Sequence, residues 1–139
     1  MNADAWNLLA ARGRVLVHDV SRLMGTLTEP VASRDPLAQG AIAAAAAATL
    51  AVLLDAMAAA PELAAHVRTL QRFDAALAAW RRSVADASPM AQRYQTALLQ
   101  QAAHVVTSGL HVEALSTSES ARVQVTRRDV GGRANSAAP

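Results

Sequence analysis

The chain has 139 residues, of which 53% are hydrophobic but only 3% aromatic, and about a quarter are alanine. Because alanine favours helix, this composition predicts an all-α protein of one domain. All 13 basic residues are arginine, and the chain has neither lysine nor cysteine, which excludes lysine and thiolate nucleophiles and cysteine-held metals. A net charge of +2 gives little support for nucleic-acid binding by bulk charge.

The first predicted helix spans residues 3–28. Its apolar residues recur at alternating steps of three and four from Trp6 to Leu27, the period of a helix that packs on one side. Arg14, His18 and Arg22 are spaced by four and therefore form one strip, here called the basic strip. It suits a phosphate group or an acidic partner, although such a strip is more often simply a solvated face of the helix. The N-terminal residues lack the features of a signal peptide, so we expect a cytoplasmic protein.

The second predicted helix begins at Asp35-Pro36, an N-cap residue followed by proline at the first helical position. It contains Ala41 to Ala60, in which Thr49 and Asp55 are the only polar residues. This run is long enough to span a membrane. Alanine contributes little to membrane insertion and a central aspartate opposes it, so we expect no transmembrane span.

The two sides of this helix differ in side-chain size. The larger apolar residues lie mainly on one side, which predicts the core side: Ile42, Leu50, Leu53, Leu54 and Met57. The opposite side, here called the alanine face, consists of Ala44, Ala48, Ala51, Asp55 and Ala58. A soluble helix usually carries charges on its outer side. Methyl groups there predict an interface with another helix, although exposed alanines also occur simply because they favour helix.

Proline also marks the starts of the third and fourth helices. Pro61 indicates a tight turn rather than a kink, so the third helix is predicted over residues 62–87. Its predicted core stripe is Leu63, Val67, Leu70, Leu77, Trp80 and Val84, with Phe73 at the edge. Ser88-Pro89 begins the fourth helix. Its predicted core stripe is Tyr94, Leu98, Val105, Val112 and Leu115, flanked by Leu99, Val106 and Leu110.

The end of the fourth helix is less sharply marked. Residues 107–109 are predicted to weaken or kink it, and the polar residues 116–120 to end it. Residues 121–128 favour a helical or irregular extension over a short strand. We therefore predict one domain over residues 1–128 and a flexible tail over residues 129–139. Four helices of about 25 residues joined by short turns predict an antiparallel, up-down-up-down four-helix bundle.

No catalytic or metal-binding pattern stands out. His104 and His111 are two helical turns apart, about 10 Å, which is too far for one metal ion. In an antiparallel pair of helices, His66 is expected near residues 108–111, but no carboxylate has ligand spacing to these histidines. The chain has no Gly-x-Ser-x-Gly elbow, glycine-rich phosphate loop or usable carboxylate pair. We therefore predict no enzyme activity, no metal and no cofactor.

The sequence favours a helical interaction protein with an adaptor, chaperone-like or regulatory role. It is expected to self-associate, as a dimer or other homo-oligomer, or to bind another helical protein through the alanine face. The first alternative is an amphipathic protein that coats a hydrophobic or membrane surface; the composition is similar to that of phasins, which are alanine-rich, helical and free of cysteine. The second alternative is a small nucleic-acid-processing or anion-binding protein that uses the basic strip.

Overall fold

The computed structural model describes residues 2–110, which form four α-helices and contain no strand. The helices are α1 (Ala3–Thr28), α2 (Pro36–Met57), α3 (Ala64–Ala85) and α4 (Pro89–Val105). Short 3-10 turns cover Val31–Ser33 and Pro61–Leu63, and a π-helical turn, Val106–Leu110, follows α4. The predicted all-α, four-helix fold is confirmed. The predictions for His111, for residues 112–128 and for the tail 129–139 lie outside the described residues.

Three of the helices begin at a side-chain cap. The Asn2 carboxamide oxygen accepts from the Ala5 amide at 2.8 Å, and the Ser88 hydroxyl accepts from the Ala91 amide at 3.4 Å. Asp35 accepts from the amides of Leu37 and Ala38. These oxygens satisfy amides that have no partner within the first helical turn. The predicted starts of α2 and α4 are confirmed, as are both bounds of α1.

Side chains also tie the turn between α1 and α2 to the end of α1. The Arg34 guanidinium donates to the carbonyls of Leu27 at 2.8 Å and Glu29 at 3.0 Å, where a cation is favoured by the helix dipole. One helical turn into α2, the side-chain amide of Gln39 donates to the Thr26 hydroxyl at 3.0 Å. These contacts hold the two helices together at this end.

The third helix is shorter than predicted at both ends. At its start, Pro61–Leu63 forms a 3-10 turn instead of the first helical turn, which still confirms a tight turn rather than a kink. At its end, Ala87 has a φ of 53°, the left-handed conformation that ends many helices. The helix therefore stops at Ala85, and only Asp86, Ala87 and Ser88 separate it from α4.

One core of buried apolar side chains is shared by the four helices. α1 packs on α2, α2 on α3 and α3 on α4, while α1 and α4 also touch. The Trp80 indole donates to the Thr96 hydroxyl at 3.1 Å, which joins α3 to α4 inside this arrangement. The up-down-up-down course of the helices stays a prediction. The buried apolar side chains include Leu16, Val20, Leu23, Leu50, Leu53, Leu70, Phe73, Leu77, Trp80, Leu99 and Val106.

The predicted core stripe of α4 is wrong by one residue. Leu99, Ala103 and Val106 are buried, whereas Tyr94, Leu98 and Val105 are 63%, 37% and 51% exposed. One residue corresponds to a rotation of about 100°. The hydrogen bond to Trp80 gives the physical reason, because it turns Thr96 inward, and the residues three and seven positions later then face inward as well.

The predicted stripe of α3 needs a smaller correction. Phe73, predicted at the edge, is completely buried, and Val84, predicted in the core, is 39% exposed. Ser83 is buried in its place, and its hydroxyl donates to the Trp80 carbonyl at 2.6 Å. A buried hydroxyl needs a hydrogen-bond partner. This local bond provides one, so Ser83 and not the predicted Val84 faces the core near the end of α3.

Candidate protein-binding surfaces

The alanine face of α2 lies on the protein surface. All five of its residues, Ala44, Ala48, Ala51, Asp55 and Ala58, are exposed. The opposite side of the helix is buried and carries Ala43, Ala46, Leu50, Leu53 and Met57. The structure therefore separates the helix into a core side and an outer side, and the role of the outer side as an interface stays a prediction.

α2 is apolar on nearly all sides, although half of its residues are exposed. Among the described residues it is the one helix long and apolar enough to cross a membrane, by length and composition. Only 28% of its most apolar 18-residue stretch is buried. The core helix of a soluble protein meets the same criteria, but such a helix is usually covered by its neighbours. The exposed remainder of α2 is the most unusual feature of the fold.

The basic strip of α1 is solvated. Arg14, His18 and Arg22 are all exposed, and each lies one helical turn from the next. The three side chains therefore lie along one exposed face of α1. As a binding site the strip therefore offers three exposed side chains, two of them arginines.

His66 lines a small cavity between α3 and the turn after α4. Thr69, Leu70, Val105 and Gly109 complete this cavity of about 50 Å³, room for one or two water molecules. His66 and Gly109 line the same cavity, which agrees with the prediction that His66 lies near residues 108–111. Within residues 2–110, no three His, Asp or Glu side chains are grouped closely enough to hold a metal ion.

A larger groove lies on the surface between α3 and α4 and was not predicted from the sequence. It has a volume of about 470 Å³, in the size range of binding pockets. We name it the α3–α4 groove. Its apolar lining consists of Ala75, Ala76, Ala79, Leu98, Ala102 and Val105, and its polar lining of Thr69, Arg72, Gln95 and Gln101.

The groove exists because α4 has a second apolar stripe that the core does not use. Met90, Tyr94, Leu98 and Val105 are exposed, and their spacing places them on one side of the helix. α3 faces this stripe with alanines, which leave a depression beside the bulkier side chains. Three of these four residues belong to the predicted core stripe of α4, so the sequence shows the pattern but the prediction places it on the wrong side of the helix.

The comparisons with known proteins add no functional information. No protein-family model, no curated protein and no solved structure matches this chain. Function is therefore inferred from the two apolar surfaces alone: the alanine face of α2 and the α3–α4 groove.

Proposed function

We propose that this protein is a non-enzymatic helical interaction protein that self-associates through the alanine face of α2. The observation that carries the proposal is the composition of the exposed side of α2, where alanines stand in place of charged residues. In a monomer, the outer side of such a helix would normally carry charged residues. The only charged residue in α2 is Asp55, so water contacts an almost continuous row of methyl groups.

The size of these side chains supports packing against another helix. Alanine has no side chain beyond Cβ, so a second helix can approach at the short end of the usual 8–10 Å interaxial range. From Ala44 to Ala58 the face is about 21 Å long, enough for close contact over several turns. A protein with such a surface would act by assembly, in an adaptor, chaperone-like or regulatory role.

Sedimentation velocity at several protein concentrations tests this proposal. We expect the wild-type protein to sediment as an assembly that dissociates on dilution. Ala48→Arg places a charged side chain in the middle of the alanine face, so it should disrupt the assembly. Because Ala48 is exposed, the variant should remain a folded monomer. Circular dichroism confirms that the variant is folded.

Ala85→Arg is the matched control. Ala85 is also an exposed alanine, but it belongs to the last turn of α3, where an arginine suits the helix dipole. This variant should assemble like the wild type. A wild-type protein that remains monomeric at all concentrations, or an Ala48→Arg variant with unchanged assembly, would contradict the proposal.

A second candidate function is the coating of a hydrophobic or membrane surface. It is favoured by Leu37 and Met90, which are 87% and 84% exposed, together with the uncovered side of α2. Interfacial helices, however, favour bulky apolar residues beside a lysine- or arginine-rich face, and α2 has neither arginine nor lysine. Flotation with liposomes distinguishes the two functions, since an interaction protein should remain in the aqueous fraction.

A further inference from the structure

We propose that the α3–α4 groove of one copy receives the alanine face of a second copy, so that the copies associate head to tail. This inference rests on the proposed function and deepens it by naming the surface that binds the alanine face. The two surfaces belong to different helices of the chain, so each copy offers one of each. The contact is heterologous, unlike a two-fold contact between identical surfaces.

The two surfaces match in length and in side-chain size. The groove runs from Thr69 to Ala79 on α3 and from Gln95 to Val105 on α4, about 15 Å along each helix. The alanine face is about 21 Å long and therefore covers it fully. Leu98 and Val105 are the bulky side chains that line the groove. The small side chains of the alanine face leave room for these two residues to pack between them.

Charge makes the pairing specific. Arg72 is the only charged residue among the described residues that line the groove, and Asp55 is the only charged residue of α2. Residues 64–110 contain five arginines and two aspartates, a net charge of +3, whereas residues 2–63 contain four arginines and six acidic residues, a net charge of −2. The alanine face thus carries one negative charge and the groove one positive charge, and such a complementary pair favours the contact and its orientation.

The same charges disfavour the other contacts that these surfaces could make with parts of this chain. If two grooves met, the two Arg72 side chains would share one interface, and no acidic residue among the described lining residues would offset them. If two alanine faces met, the two Asp55 carboxylates would share one interface without a basic partner from α2. Residues 111–139 contain four arginines and three acidic residues, so this segment has the same sign of charge as the groove.

Charge reversal tests the pairing in the full-length protein. Asp55→Arg and Arg72→Glu each place like charges together across the proposed contact, so each should raise the dissociation constant about tenfold or more. Both residues are exposed, so both variants should fold. Mixed in equal amounts, the two variants should regain assembly, because each contact then pairs one positive with one negative residue.

Cysteine cross-linking gives a second measurement, because the chain has no cysteine of its own. Ala48→Cys and Ala75→Cys introduce thiols at an exposed position of each surface. Under mild oxidation, a mixture of the two proteins should form the mixed disulfide dimer. Each protein alone should remain largely uncross-linked.

The outcomes separate this inference from the proposed function. If Ala48→Arg and Asp55→Arg dissociate the protein but Arg72→Glu does not, the groove is not the receptor and the alanine face remains an interface. Rapid cross-linking of Ala48→Cys with itself would show that two alanine faces meet and would overturn the head-to-tail contact. If no variant changes assembly, both proposals fail.

Discussion

Two adjacent leucines of α4 give a direct test of how this helix is rotated. Leu99 is completely buried, whereas Leu98 is 37% exposed and lines the α3–α4 groove. Leu99→Ala removes buried apolar contacts and leaves an enclosed cavity, so it should lower the free energy of unfolding by about 3 kcal/mol. Leu98→Ala removes a partly buried side chain from an open groove, so the loss should be about 1 kcal/mol. The expected difference between the variants is about 2 kcal/mol.

Urea unfolding followed by tryptophan fluorescence measures this difference. Trp80 is 2% exposed, and its indole donates to Thr96 of α4, so its emission should report the separation of α3 from α4. Both variants should be compared at a low protein concentration, because Leu98 also belongs to the proposed interface. Equal losses, or a larger loss for Leu98→Ala, would show that α4 presents its other stripe to the core.

Three further substitutions test local backbone features, each by the change in free energy of unfolding measured in urea. Ala87→Gly should stabilise the protein by about 1 kcal/mol, because Ala87 has a left-handed φ of 53°. Gly25→Ala should stabilise it by about 1 kcal/mol, since a Cβ added at this helical position meets nothing within 4 Å. Asp35→Ala should cost about 1 kcal/mol by removing the cap of α2. A change of opposite sign at any of these sites would contradict the conformation described there.

The boundaries of the helices were largely predictable from the sequence because they depend on neighbouring residues. An aspartate or serine followed by proline combines a cap with a fixed φ, and both such pairs, Asp35-Pro36 and Ser88-Pro89, begin a helix. The exposure of the alanine face was also predictable, since large and small side chains lie on opposite sides of α2. Its function as an interface depends on a second molecule, so no property of this helix alone decides it.

The rotation of α4 was not predictable, because the helix has two apolar stripes and periodicity favours neither. The structure selects the stripe of Leu99 and Val106, together with the hydrogen bond from Trp80 to Thr96. That bond joins residues on different helices, so a pattern within α4 holds no information about it. The α3–α4 groove is not predictable for the same reason, because the sequence pattern places its bulky residues in the core.

The amount of buried surface favours the groove over a second alanine face as the partner of α2. The alanine face is about 21 Å long and about 10 Å wide. Its area is therefore far below the roughly 800 Å² that each partner usually contributes to a stable interface. Two alanine faces would bury little more than methyl groups. From the exposed stripe of α4, Leu98 and Val105 line the groove and supply the larger apolar side chains that such a contact lacks. Even with this stripe the interface is small, so the assembly should belong to the transient class and dissociate on dilution.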